Sequence, residues 1–211
     1  MRKSPNPRLF AHTVALAVAG LLAACSAAPH REAQWADPTF GTQSRLLRGA
    51  RVLVACDVYD LALRRICEDQ VSEELRSQGA SPVPLPPGLV LLNDRELDAQ
   101  LLPGAAAAGA KAIFVMQMMP ATRGAGSGAS LGLGGFSFGG GGGIGIGLGV
   151  PIGGGDTGAT GFAASGRVTE VSSQRLVWTT TFIAPPSADI AAQFRLLSAA
   201  VVNAARGAGL F

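Results

Sequence analysis

The chain has 211 residues, of which 29 are glycine and 13 are proline, and its 17 basic residues outnumber its 14 acidic residues by three. The surplus comes from the start of the chain, because Arg2, Lys3 and Arg8 all precede the first acidic residue, Glu32. Without residues 1–24, basic and acidic residues balance at 14 each. Nucleic-acid binding depends largely on neutralising phosphates with basic side chains. The composition therefore argues against a nucleic-acid partner.

Residues 1–24 have the layout of an export signal, with a basic start, an apolar stretch from about Val14 to Ala24, and small residues before Cys25. The apolar stretch is too short to span a bilayer, which takes about 20 apolar residues. The sequence Leu22-Ala23-Ala24-Cys25 resembles the bacterial lipobox. That resemblance implies cleavage before Cys25 and acylation of Cys25, with palmitate among the attached chains. The alternative is an ordinary secretory peptide followed by a free cysteine.

A lipid anchor at Cys25 predicts where the mature protein resides. Buried acyl chains contribute about 0.8 kcal/mol per CH₂, so several chains hold a protein on a membrane without a spanning segment. Ser26 after the cysteine resembles lipoproteins that are sorted to the outer membrane, and we expect the domain to face the periplasm. Residues 25–48 are mostly polar or small and predict a lipidated tether, on which Trp35 and Phe40 are either incidental or docked.

Residues 49–211 are predicted to form a single α/β (α+β) domain in which helices pack on a mixed sheet. An apolar run at 51–56 predicts a buried strand, and apolar residues spaced by four from Leu63 to Leu75 predict an amphipathic helix capped by Gly79. The predicted order is β-α-β-α-β, a glycine-rich insertion over 124–158, then β-β-α. The predicted elements before the insertion are strand 51–56, helix 60–78, edge segment 80–85, a second helix and strand 110–118. The second helix is predicted to be capped by Asn93 and to break or kink at Pro103-Gly104. After the insertion come a hairpin of 159–171 and 175–183 and helix 187–207.

Residues 124–161 contain 19 of the 29 glycines and one charged residue, Asp156. Apolar residues alternate with the glycines on both sides of Gly139–Gly143, and a period of two is typical of strands. Three interpretations remain open: a mobile loop, an ordered hairpin packed on protein, and a hairpin that enters lipid. The alternating residues, which are the candidate contacts with a partner or a second subunit, are Leu131, Leu133, Phe136, Phe138, Ile144, Ile146, Leu148 and Val150.

The predicted domain contains no histidine, because His12 lies in the signal and His30 in the tether. This removes the commonest general base, the usual zinc ligand and any Ser-His-Asp arrangement. We therefore expect no catalytic residue, no metal and no cofactor. The remaining carboxylates are more simply surface acids than a catalytic pair, and those near predicted strand or helix ends are Asp57, Asp60, Asp94, Glu96 and Asp98.

Two cysteines, Cys56 and Cys67, remain after lipidation of Cys25. Cys56 ends the first predicted strand and Cys67 lies on the apolar side of the helix that packs against it. The compartment beyond the inner membrane permits disulfides, so a structural bridge and two buried thiols are both open. Their separation of eleven residues is not that of a CxxC redox motif.

Three segments resemble a group of small proteobacterial outer-membrane lipoproteins of unknown function: Arg51–Leu75, Ala108–Met118 and Arg175–Trp178. The layout is similar to the amino-terminal domain of the Tol-system propeller protein, which is shared by the curli secretion lipoprotein and by the lipoprotein activator of a peptidoglycan synthase. The shared motifs are structural, and the resemblance transfers no catalytic residue. Pro103 departs from the family, whose helix is usually uninterrupted at this point.

Two functions follow as hypotheses. The first is a lipid-anchored, non-catalytic binding or scaffold module for an envelope partner. The alternative is a self-assembling lipoprotein whose glycine-rich hairpins pair between subunits, as in secretion-channel lipoproteins. An enzyme is a distant third.

Overall fold

The computed structural model describes residues 28–41, 44–86, 96–121 and 160–211. These residues form one six-stranded mixed sheet, in the order β1-β6-β5-β4-β2-β3, with three helices. Strand β2 is parallel to β3 and β4, whereas the pairs β4–β5, β5–β6 and β6–β1 are antiparallel. The elements are β1 His30–Ala36, β2 Arg51–Asp57, α1 Leu61–Ser77, β3 Ser81–Val83, α2 Leu97–Ala107, β4 Ala112–Ala121, β5 Thr160–Glu170, β6 Arg175–Ser187 and α3 Ile190–Gly207.

The predicted fold class is confirmed: from β2 onward the elements occur in the predicted order. Several predictions lie outside the described residues. These are the signal peptide 1–24, the lipidation site Cys25, Asp94, and the glycine-tract residues from Leu131 to Val150.

Helix α1 illustrates why the sequence folds as it does. The Asp60 carboxylate accepts a hydrogen bond of 2.9 Å from the Leu63 backbone N–H, which satisfies one of the free donors at the helix start. Cys67, Val71 and Leu75 are fully buried, as their spacing predicts. Gly79 follows the helix with φ +88°, a left-handed conformation that glycine adopts without a Cβ clash.

Of the break or kink predicted at Pro103-Gly104, the break does not occur, because helix α2 continues through Pro103 to Ala107. The predicted cap at Asn93 is wrong, since the helix begins at Leu97 and the capping position is Glu96, whose side chain makes no capping hydrogen bond. A proline inside a helix removes the hydrogen bond to the carbonyl four residues earlier, here that of Ala99. Both Ala99 and Pro103 are exposed, so water can satisfy that carbonyl. Leu101 and Ala105 are fully buried against the sheet, and their packing holds the helix together across the proline.

The hairpin and the last helix are confirmed, with shifted ends. Strand β6 runs to Ser187, past the predicted end at 183 and through Pro185-Pro186. Helix α3 begins at Ile190 instead of 187 because Asp189 is the capping residue, accepting a 2.8 Å hydrogen bond from the Ala192 N–H.

The sheet has apolar residues on both faces, which form two separate clusters. The larger cluster lies under α1 and α3, where Phe114, Trp178 and Phe194 are fully buried. The smaller cluster lies on the other face, under α2, and contains Leu53 and Ile113. Because α1 and α3 pack on one face and α2 on the other, the central strands β2 and β4 are buried on both faces.

The region predicted as a tether contains strand β1, which pairs with the whole central part of β6, from His30 opposite Ile183 to Ala36 opposite Trp178. Just beyond the strand, the Asp37 carboxylate accepts hydrogen bonds from the Thr39 hydroxyl at 2.7 Å and the Thr39 N–H at 2.8 Å, and it pairs with Arg175. These hydrogen bonds, followed by the Arg175 charge, lower the pKa of Asp37. Phe40 is partly buried against the larger cluster. This part of the predicted tether is therefore docked on the domain.

Candidate binding face

One part of the sheet has no helix over it among the described residues. On the side of α2, the smaller cluster packs that helix against β2 and β4 through Leu53, Ala55, Ile113 and Val115, with Val83 of β3 and Val171 packed against the same cluster. The neighbouring strands β5, β6 and β1 continue the same side of the sheet beyond the helix. We call this surface the open face and define it by the residues Ala33, Trp35, Gln117, Ser165, Arg167, Thr179 and Thr181.

The strand register brings these residues into two rows across four strands. In the first row, Arg167 lies opposite Thr179, which lies opposite Trp35. In the second row, Gln117, Ser165, Thr181 and Ala33 lie opposite one another in that order. Side chains opposite each other on one face are about 4.5–5.5 Å apart at Cβ. The open face therefore combines an amide, three hydroxyls, a guanidinium and an indole on a nearly continuous surface.

Arg167 is the charged centre of the open face. Its Nη2 lies 3.2 Å from Oδ1 of Asp98 on α2, and Oδ2 of Asp98 accepts a 3.0 Å hydrogen bond from the Thr169 hydroxyl. Among the described residues, the buried Nε of Arg167 has no acceptor. Asp98 thus orients the guanidinium from one side, while 22 % of the Arg167 side chain stays accessible.

Trp35 supplies the apolar part of the open face. It is 46 % exposed, which is unusual for so large an apolar side chain. Exposed tryptophan and arginine are the side chains most enriched among residues that dominate binding energy in interfaces. The arrangement suits recognition through hydrogen bonds and one aromatic contact.

Of the acidic residues that the sequence singled out, the four that the structure describes do not come together. Asp57 accepts a 3.0 Å hydrogen bond from Gln117 Nε2, Asp60 caps α1, and Asp98 pairs with Arg167. Glu96 is exposed just before α2. Sequence reasoning missed Arg167, although a signal existed: it is the one charged residue in the run from Thr160 to Thr169, where a strand was predicted.

A second polar feature lies where β2 meets α1. Cys56 and Cys67, left open as a bridge or two thiols, form a disulfide with Cα atoms 6.1 Å apart. The next residue, Glu68, is also buried, and its Oε2 lies 3.4 Å from Nη1 of the exposed Arg65. Burial raises the pKa of Glu68, and the charges of Arg65 and Arg64 offset part of that effect.

The raised pKa predicts that Glu68→Gln stabilises the domain at neutral pH, by on the order of 1 kcal/mol. Folding favours the protonated form of Glu68. The stability that this carboxyl contributes is therefore complete below its unfolded-state pKa near 4.3, and it is lost as the pH rises through the higher folded-state pKa. In urea unfolding, the variant should therefore have a higher free energy of unfolding than the wild type at pH 7. This difference should shrink as the pH falls.

The matched control is Glu73→Gln, which removes one negative charge from an exposed position on the same helix that is not among the groups shifting the pKa of Glu68. It should leave the pH dependence of unfolding unchanged. A Glu68→Gln variant that is less stable than the wild type at pH 7 would show instead that the Glu68–Arg65 attraction outweighs the cost of burial.

Two further observations concern chemistry and membranes. In ranges 28–41, 44–86, 96–121 and 160–211, no three His, Cys, Asp or Glu side chains gather where they could hold a metal ion. His30 lies 2.6 Å from Glu32, with both side chains accessible to solvent. No helix within the described part of the chain is both long enough and apolar enough to span a bilayer.

Two solved structures resemble this chain at low sequence identity. No protein-family model matches the chain, and no curated protein is similar to it. A PelC dodecamer from Paraburkholderia phytofirmans is similar in structure, with a TM-score of 0.46 and 11 % identity over 86 % of this chain and 97 % of that chain. A single-substitution variant of the same dodecamer has a TM-score of 0.47 and 11 % identity over 87 % and 99 % of the two chains. Likeness at this level transfers neither assembly nor function to the present chain.

Proposed function

We propose that this chain is a lipid-anchored, non-catalytic module of the outer membrane that faces the periplasm and binds an envelope partner through its open face. The observation that carries this proposal is the open face itself. An antiparallel sheet commonly leaves one face, with polar residues on it, to solvent. This face differs in that Asp98 holds Arg167 in place, in the same row as Thr179 and the exposed Trp35.

The anchor in this proposal rests on Cys25 and the export signal before it. Cys25→Ala removes the sulfur that would carry the lipid and should move the protein from the membrane fraction to the soluble periplasmic fraction. Cys56→Ala/Cys67→Ala is the matched control, since it removes both cysteines of the folded domain without leaving an unpaired thiol and should leave the protein in the membrane fraction. Unchanged fractionation of Cys25→Ala would refute the lipid anchor.

The binding role can be tested by photo-crosslinking in intact cells. A photoreactive residue at Ala33, which is exposed in the second row of the open face, should yield one dominant adduct with an envelope component. The same residue at Glu73, exposed on the opposite side of the molecule on α1, serves as the control. Trp35→Ala should weaken the adduct formed from position 33, because the indole contributes apolar contact beside it.

Two results would contradict this role. Equal adducts from positions 33 and 73 would mean that the open face has no specific partner. An adduct from position 33 that Trp35→Ala leaves unchanged would place the contact elsewhere on β1.

A second candidate function is self-assembly, which the exposure of β1 favours. All seven residues of β1 are exposed, and no strand among the described residues pairs with its outer edge. An edge strand with free N–H and C=O groups can pair with the same strand of a second copy. Sizing of the purified domain, with and without residues 124–158, tests this: a monomer at every concentration in both forms would exclude assembly.

A further inference from the structure

The strand directions bring several parts of the chain to one end of the sheet. Strands β2, β4 and β6 end there, whereas β1 and β5 begin there. We call this the proximal end. The opposite, distal end carries the turn between β5 and β6, residues 171–174.

The predicted lipid attaches close to the proximal end. His30, the first residue of β1, lies only five residues after Cys25. Five fully extended residues span at most about 17 Å. Any bilayer that holds acyl chains at Cys25 is therefore within about 17 Å of the start of β1, which lies at the proximal end.

The proximal end also carries the two most exposed large apolar side chains of the described residues. Tyr59 is 76 % exposed and lies in the connection between β2 and α1, and Leu61 is 67 % exposed and is the first residue of α1. Strand β2 is four positions from β1 in the sheet, or about 19 Å at the usual strand spacing. The two side chains and the start of β1 thus lie at the same end but on opposite sides of the sheet.

The structure holds this connection in place instead of leaving it loose. Asp60, between the two exposed residues, caps α1, and Nη2 of Arg64 donates a 3.2 Å hydrogen bond to the carbonyl of Val58. The Cys56–Cys67 disulfide joins the end of β2 to the helix just below. Neither Tyr59 nor Leu61 packs in either core cluster, so both side chains are free to make a contact outside the domain.

We propose that the proximal end rests on the lipid bilayer, with Tyr59 and Leu61 inserted at its surface as a second contact beside the lipid anchor. This inference rests on the proposed anchor at Cys25. Tyrosine suits the boundary because its ring is apolar and its hydroxyl reaches water, and leucine suits the acyl region. Asp57 and Asp60 on one side and Arg64 and Arg65 on the other leave little net charge around the loop. The contact is therefore apolar and insensitive to salt.

The proposal fixes the orientation of the domain. With the anchor and the Tyr59–Leu61 loop on the bilayer, the strands stand at a steep angle to the membrane. The open face then points sideways, parallel to the membrane plane, and the distal end points away from the lipid.

Fluorescence quenching by brominated lipid measures this orientation on the lipidated full chain. The probe is Tyr59→Trp in a chain that also carries Trp35→Phe, and the matched control is Ser172→Trp at the distal end in the same background. Trp178 is fully buried and gives a constant signal in both chains. On vesicles of phosphatidylcholine brominated on its acyl chains, tryptophan at 59 should be quenched several-fold more than tryptophan at 172, at low and high salt alike.

The outcomes separate this inference from the function on which it rests. A lipidated chain that fails to sediment with the vesicles overturns the anchor and this orientation together. A chain that sediments but shows equal quenching at positions 59 and 172 overturns the orientation and leaves the anchor standing. Leu61→Trp provides an independent probe of the same loop and should reproduce the result from position 59, since the side chain is exposed and its replacement leaves the core intact.

Discussion

Removal of the Cys56–Cys67 disulfide is expected to lower the free energy of unfolding by about 3 kcal/mol. The bond closes a short loop, with a sequence separation of 11, and the chain-entropy estimate for a loop of that size is about 3 kcal/mol at 25 °C. Both cysteines are fully buried, so the bond is protected in the folded state. The change is measured by urea unfolding of the Cys56→Ala/Cys67→Ala chain against the wild type.

A reductant provides the control for this prediction. Once unfolding exposes the disulfide to the reductant, the wild type should lose a similar amount of stability. The double variant, which has no disulfide, should be unaffected. If reductant leaves the unfolding midpoint of the wild type unchanged, the two cysteines are buried thiols in the protein and the entropic argument fails.

Gly166→Ala is expected to destabilise the domain by about 1–3 kcal/mol. Gly166 lies on β5 beneath α3, and a Cβ placed there would overlap Cγ1 of Val201 and reach within 3.7 Å of the Trp178 ring. Val201 and Trp178 are fully buried, and a β-branched side chain has few rotamers into which it can move. Either α3 shifts away from the sheet or the packing of the larger cluster loosens, and both outcomes lower the thermal midpoint.

Two further variants isolate the cause of that loss. Gly161→Ala, in the same strand, places a Cβ no closer than 3.4 Å to any neighbour and should cost much less. Val201→Ala removes the overlapping methyl group, so the double variant Gly166→Ala/Val201→Ala should be more stable than the sum of the single changes predicts. Additive losses would mean that the contact between β5 and α3 is not the reason that position 166 is glycine.

The sequence was sufficient to predict the elements that bury a periodic apolar pattern. Helix α1 and the β5–β6 hairpin were identified because Cys67, Val71 and Leu75, or the strand residues around Trp178, carry the pattern on their own. Strand β1 was not identified, because its sequence HREAQWA buries nothing and forms a strand only through pairing with β6. Helix α2 survives Pro103 for a similar reason: the burial of Leu101 and Ala105 is a tertiary contribution that local propensity does not contain.

The open face was beyond the reach of sequence reasoning for a different reason. Trp35, Arg167 and Thr179 become neighbours only through the register of β1 with β6 and of β6 with β5. A shift of one residue in either pairing would turn the side chains of that strand to the other face. Asp98, which orients Arg167, comes from a helix on yet another part of the chain. The sequence contains these residues, but only the complete sheet topology shows that they lie next to one another on the open face.

The position of β1 also determines how the domain would carry mechanical load. A protein held at Cys25 and pulled by a bound partner transmits the force into the domain through His30, in line with β1. The hydrogen bonds between β1 and β6 run across the strands, so a pull along β1 loads all of them in shear at once instead of peeling them off one by one. The Asp37–Arg175 pair secures the far end of the same strand. From His30 onward, the segment that the sequence predicts to be a tether is therefore a strand of the domain, and it is the part best placed to bear tension.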